Sequence, residues 1–187
     1  LVKMDEFKEQ DVANVAWAFA KATRNDVVLF GALSSAAVAT IDGFKEQGMS
    51  NLAWAFATAA RCDTELFDVL ARPVMTRAEG FKVQELANVA WAYARANRNS
   101  LELFEVLAQA AVAKKEQFKE QDIAIIAWAF AKADRHAMEL FKVLTHAAVA
   151  KIHLFEQRDV VNVTWAFAKV GWNDAELFEV LARTAVK

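Results

Sequence analysis

Trp17, Trp54, Trp91, Trp128 and Trp165 stand 37 residues apart each time. Phe7, Phe44, Phe81, Phe118 and Phe155 keep the same spacing, as do Phe30, Phe67, Phe104, Phe141 and Phe178. Self-similarity at a fixed period in this range marks a repeat array, in which each unit buries its apolar faces only by stacking on its neighbours. The spacing predicts an all-α fold: an α-solenoid of five tandem 37-residue helix-turn-helix repeats forming one right-handed superhelix. The array is expected to run over residues 1–187, with repeats starting at 7, 44, 81, 118 and 155 and residues 1–6 closing a preceding repeat. Both ends of the chain fall inside expected helices, so it is expected to be an excerpt from a longer array.

Each repeat divides into two helices. Val12, Val15, Ala16 and Phe19 lie at i, i+3, i+4 and i+7, the apolar face of a helix A expected from about Glu9 to Thr23. Ala13, Trp17 and Ala20 form a second apolar face, so the Trp17 column is expected to be mostly buried. The remaining outlet holds Asp11, Asn14, Ala18 and Lys21, within about 80° at 100° per residue. Asn25-Asp26 then supplies an N-cap to a helix B running to about Ile41. The cap recurs as Asp63, Ser100 and Asp174 but is replaced by Ala137 in the fourth repeat. Gly43 and Gly80 are expected to stop helix B, with the following Phe packing the corner. Pro73 falls inside helix B of the second repeat and predicts a kink or an early end. Glu179/Arg183 and Asp68/Arg72 are spaced as i,i+4 ion pairs on the outer face.

The longest uncharged run, Val27 to Ile41, is 15 residues with Ser34 and Ser35 inside it, too short and polar to span a bilayer. The single Cys62 excludes an internal disulfide framework. A net charge of −2 argues against a strongly basic nucleic-acid glove, though it leaves room for charge separated between faces.

The helix-A core Gln10-Asp11-Val12-Ala13-Asn14-Val15-Ala16-Trp17-Ala18-Phe19-Ala20 resembles that of octotricopeptide-type repeats, which carry a Leu-Ala-Asn-Leu-Leu-Trp-Ala-Leu-Ala-like run. The period of 37 is closer to the related heptatricopeptide repeats. The resemblance covers nearly all of the chain. It implies an organellar protein of chloroplast or mitochondrion, with its targeting segment outside this chain, that binds RNA to control processing, stability or translation. Some members carry a C-terminal nuclease-like domain, and nothing in this chain matches one.

Two sets of columns are candidates for such a role. Asn14, Asn51, Asn88 and Asn162, with Ile125 as the exception, form an amide ladder beside Asp11, Glu85, Asp122 and Asp159, where Gly48 is the exception. An amide can read a base edge, one base per helical repeat; alternatively the Asn column braces the neighbouring helix A. Lys21, Arg95, Lys132 and Lys169 form a basic row suited to a phosphate backbone. Arg24, Arg61, Arg98 and Arg135 form a second row, suited to pairing with Glu65, Glu102 and Glu139 four residues on. The Trp17 and Phe19 columns are expected to pack in the core. Trp172, in place of an Arg, is a candidate to stack on a base or a partner.

No catalytic signature competes with this surface, and the chain is expected not to be an enzyme. His136, His146 and His153 occupy variable positions without metal-ligand spacing to a Cys. Cys62 lies where a helix start can acidify a thiol, with no His near it in sequence. No cofactor and no small-molecule substrate are implied. Two readings result: an RNA-binding array holding single-stranded RNA, organellar transcripts or rRNA, along a concave surface lined by helices A; or a scaffold that clamps protein subunits of a larger complex.

Overall fold

The computed structural model describes residues 4–186. Among them are ten α-helices, five short 3₁₀ turns and no strand. The helices alternate as the period requires: α1 (Glu9–Lys21), α2 (Val27–Ala39), α3 (Glu46–Thr58), α4 (Thr64–Thr76), α5 (Val83–Arg95), α6 (Leu101–Ala113), α7 (Glu120–Lys132), α8 (Met138–Lys151), α9 (Gln157–Lys169) and α10 (Ala175–Ala185). Odd-numbered elements are helices A and even-numbered ones helices B, so the chain is an α-solenoid of helix pairs. It divides into two compact units, Leu1–Arg98 and Asn99–Lys187.

In the first unit α1 packs along α3 and α3 along α5, while α2 packs on α4 as a second layer. In the second unit α7 packs along α9, and α6, α8 and α10 form the other layer. Alanine makes the close approach of helices A possible: Ala13, Ala16, Ala53, Ala87, Ala90, Ala124 and Ala127 are all buried. Between layers the joint is aromatic. Phe30 meets Phe56 at 5.1 Å, Phe67 meets Tyr93 at 5.0 Å, Phe104 meets Phe130 at 5.1 Å and Phe141 meets Phe167 at 5.2 Å, each pair edge-to-face. Each pair links helix B of one repeat to helix A of the next, a geometry rings favour beyond the area they bury. Phe19 has no such ring partner among the described residues and is 39% exposed.

The helix starts behave as the cap residues require. Asp26, Asp63, Ser100 and Asp174 accept hydrogen bonds from the backbone N–H groups of Leu29, Leu66, Leu103 and Leu177. Ala137 offers α8 no such acceptor. Ala137→Asp is therefore expected to stabilise the protein by about 1 kcal/mol, measured by urea denaturation. No gain would mean that the Leu140 N–H is already satisfied.

Helix B ends earlier than expected, at Ala39 rather than Ile41 in the first repeat, and Ile41–Gly43 forms a 3₁₀ turn instead. The same turn recurs at Met4–Glu6, Ala78–Gly80, Lys115–Gln117 and Ile152–Leu154. Residues 4–6 thus match the close of a repeat, and residues 1–3 lie outside the described residues. Phe44, Phe81 and Phe118 follow these turns and are buried. The early end expected at Pro73 does not occur. Helix α4 runs through it to Thr76, forgoing only the one hydrogen bond that residue 73 would donate to the Val69 carbonyl. Glu179 and Arg183 do pair, at 3.1 Å, whereas Asp68 lies 3.8 Å from Arg98 rather than against Arg72.

The A helices end in a motif that composition conceals. Thr23, Ala60, Asn97 and Asp134 adopt φ of 55–58°, and Gly171 a φ of 71°. In each case the next N–H reaches back to helix A, as from Arg24 to the Phe19 carbonyl at 2.8 Å and from Arg61 to that of Phe56 at 2.9 Å. This is a Schellman close. It turns the following side chain, Arg in four repeats, away from helix A.

Candidate functional site

The acidic column is occupied by folding. Asp11, Glu85, Asp122 and Asp159 accept the backbone N–H of Lys8, Lys82, Lys119 and Glu156, at 3.1, 2.8, 3.0 and 3.0 Å. Each carboxylate binds a free N–H at the start of its own helix, where the dipole also favours negative charge. Asp122 and Asp159 are buried, and burial pushes the Asp122 carboxyl above the usual carboxylate range. These two are removed from the candidate RNA-binding set, because a side chain shut off from solvent and spent on its own helix start cannot meet a base.

Three members of the Arg24 row are likewise spent internally, although their partners differ from those expected. Arg61 donates from Nε and Nη2 to the Asn25 carbonyl, at 3.2 and 2.6 Å. Arg135 donates to the Asn99 carbonyl, the same position one period earlier, and Arg98 donates to Thr64 Oγ1. Arg61, Arg98 and Arg135 thus clamp their repeats to the ones before, rather than pairing with the Glu four residues on, while Arg24 is exposed. A second clamp, absent from the sequence reading, runs from Arg77 to the Phe44 carbonyl at 2.8 Å and from Lys151 to that of Phe118.

Trp172 takes the Arg position in the last repeat. It is half-buried and lies on the Phe141 ring, with centroids 6.2 Å apart and planes 32° apart. Packed on Phe141, it is corrected from stacking candidate to packing residue. Cys62 is also corrected: burial raises its thiol above the ordinary value, and Arg95 and Arg98 oppose that only in part. No group of His, Cys, Asp and Glu able to hold a metal occurs among the described residues. No helix among them is long and apolar enough to cross a membrane.

What stays open is a ridge along each helix A. The amides of Asn14, Asn51, Asn88 and Asn162 are exposed or half-exposed and form no hydrogen bond among the described residues. They brace no neighbouring helix. Ile125 stands in the same column, half-exposed. The basic row is uneven. Lys21 and Lys132 are exposed, but Arg95 donates to the Ala57 carbonyl at 3.0 Å and lies 5.3 Å from the centre of the Trp91 ring. Lys169 lies 3.9 Å from Asp134.

The tryptophans sit on this ridge, contrary to expectation. Trp17 is 42% and Trp165 41% exposed, and Trp54, Trp91 and Trp128 are half-exposed. Their rings form a ladder: Trp17 to Trp54 and Trp54 to Trp91 at 6.4 Å in the first unit, Trp128 to Trp165 at 6.2 Å in the second. The cause is angular. At 100° per residue Trp17 lies about 40° from Lys21 and about 60° from Asn14, at the edge of the polar sector, and the interior beneath it is already closed by alanines.

Two further columns were invisible to sequence reasoning. Gln10, Gln47, Gln84 and Gln121 lie one turn before the Asn column, all exposed. Lys8, Lys45, Lys82 and Lys119 precede the helix starts, also exposed. Spacing at 37 identifies both, but they lie at the loop edge of helix A, outside its apolar pattern. The first three ridges thus carry Lys, Gln, Asn and Trp; the fourth has Ile125 in place of Asn, the fifth has Glu156 and Arg158 in place of Lys and Gln, and all but the second carry a cation near the far end.

The sequence profile of RESC6, the RNA-editing substrate-binding complex 6 protein family, matches residues 4–98 and again residues 91–187. Among curated proteins none matches the chain. The profile is neither of the two whose repeat core this chain resembles, yet it too belongs to an RNA-related family, and here it spans a tandem helical array. The two matches together run from residue 4 to residue 187, and the chain belongs to the RNA-editing substrate-binding complex 6 protein family.

Proposed function

We propose that the chain is a non-enzymatic RNA-binding repeat protein that works in an RNA-editing substrate-binding assembly and holds single-stranded RNA across the ridges of its A helices. The observation that carries this reading is the division of labour among the polar columns. Asp11, Glu85, Asp122 and Asp159 cap helices and Arg61, Arg98 and Arg135 clamp repeats, whereas the Gln10 and Asn14 columns serve no internal partner. Amides, exposed indoles and lysines are the groups that meet bases and phosphates of a single strand. Kinship with octotricopeptide-type arrays and an organellar location belong to the same proposal, and nothing in the family match favours a chloroplast.

Near-identical readers must prefer near-identical bases. The protein is expected to favour one homopolymer among the four, with tolerance opposite Ile125. Ile125→Asn should tighten binding to the favoured homopolymer by about 1 kcal/mol, the lower end of what a good amide-to-base contact contributes in groove readout. Fluorescence titration against the four homopolymers tests both statements. Equal affinity for all four would leave only backbone contact, and no binding at low salt would overturn the proposal.

A protein scaffold is the second reading, and one feature favours it. Helices α6 and α8 border an apolar groove of about 370 Å³, into which Phe104, Phe130 and Leu140 open. At its edge Leu101 is 58% and Met138 62% exposed. Apolar surface of this kind marks contact with protein rather than with RNA.

A further inference from the structure

In the first unit α1 and α3 enclose an open groove of about 380 Å³, lined by Lys8, Gln10 and Asn14 from one repeat and by Lys45, Gln47 and Asn51 from the next. None of these six side chains has a hydrogen-bond or ion-pair partner among the described residues. The groove owes its depth and sign to Gly48. At the corresponding position Asp11, Glu85, Asp122 and Asp159 place a carboxylate over their own helix starts. Gly48 places nothing there, so the start of α3 has no side-chain cap and the Lys45 N–H has no carboxylate partner. One acid lines the groove, Glu9, whose carboxylate is folded against Gly43, 2.6 Å from where a Cβ would stand.

We infer that this groove is a nucleotide subsite, in which Lys8, Lys45 and the uncapped start of α3 take a phosphodiester and the amides of Gln10, Asn14, Gln47 and Asn51 bond its base. The inference rests on the RNA-binding reading above and assigns it a place. Two lysines face one rim carboxylate, so the groove attracts an anion, and a helix start with a free N–H adds a fixed donor. An amide both donates and accepts, which matches the mixed edge of a base. A peptide would need an apolar anchor, and lysine is depleted at the core of protein interfaces. The groove of α6 and α8 has the opposite character.

Gly48→Asp is the discriminating variant. It restores the carboxylate that three other repeats carry as Asp and one as Glu, each four residues after a buried or half-buried Phe. A Cβ at position 48 comes 3.2 Å from Phe44 Cδ1, a fit those repeats already make with their own Phe. The variant is expected to melt at the wild-type temperature or above it, since it gains a cap. Its affinity for a short fluorescein-labelled single-stranded RNA should fall about tenfold, the scale of one lost amide-to-base contact. Gly48→Ala, which adds bulk without charge, should lose less, and Lys45→Gln should weaken binding without filling the groove. Full affinity of both Gly48→Asp and Lys45→Gln, with wild-type binding intact, would overturn the subsite and leave the ridge reading standing. Absence of wild-type binding at low salt would instead overturn the RNA reading itself.

Discussion

Changing Lys8, Lys45, Lys82 and Lys119 together to Gln is expected to flatten the salt dependence of RNA binding by about 3 in slope, from about 0.7 per phosphate contact on a single strand. At 0.1 M salt the same four contacts are worth about two to three orders of magnitude in affinity. The row at the far end of helix A offers less. Arg95 is held by the Ala57 carbonyl and the Trp91 ring, and Lys169 lies against Asp134. Lys21 and Lys132 remain, so removing both should flatten the slope by about 1.4. Thirteen residues separate Lys8 from Lys21, about 20 Å at 1.5 Å per residue, too far for one phosphate to meet both. The two multiple variants therefore locate the strand. A slope unchanged by the Lys8-row variant, but flattened by Lys21→Gln with Lys132→Gln, would move the backbone to the other end of the ridge.

The repeat period, the helix pairs and the caps at Asp26, Asp63, Ser100 and Asp174 were legible in sequence because each depends on local chemistry at fixed spacing. The Asp11 column was legible in principle too, since an acid at the third helical position serves the start of its own helix. It was read as a surface ladder because Lys8, unlike Ser or Thr, gives no hint of a capping box. The Trp17 column shows a different limit. Indole size suggests burial, yet residue angle places Trp17 beside Lys21, about 40° away at the edge of the polar sector, and only the packing of α1 on α3 decides between the two. The Arg61 and Arg135 clamps were beyond reach, because their acceptors are backbone carbonyls 36 residues earlier and their direction follows from positive φ at Ala60 and Asp134. Nothing in the types of Thr23 and Ala60 announces a left-handed residue, whereas Asn97, Asp134 and Gly171 are of the types that favour one.

Phe141→Ala is expected to cost about 3–5 kcal/mol, the range for deleting a fully buried Phe, and to sit near the top of it. Phe141 is 1% exposed and has two ring partners in the second unit, Phe167 edge-on at 5.2 Å and Trp172 at 6.2 Å. Phe104 is equally buried but meets Phe130 without a counterpart to Trp172. Since one aromatic pair adds about 0.5–1.5 kcal/mol beyond burial, Phe104→Ala should destabilise by about 1 kcal/mol less. In a repeat array each unit leans on its neighbours, so loss of this joint should loosen α8, α9 and α10 together rather than one helix. Urea denaturation followed by tryptophan fluorescence compares the two variants, and equal shifts would show that the Trp172 contact contributes nothing. Trp172→Arg completes the comparison, because it substitutes the residue of the other four repeats for the ring. It should lower stability while leaving RNA affinity within twofold, as befits a packing residue. A large loss of RNA binding in that variant, with the fold intact, would return Trp172 to the binding surface.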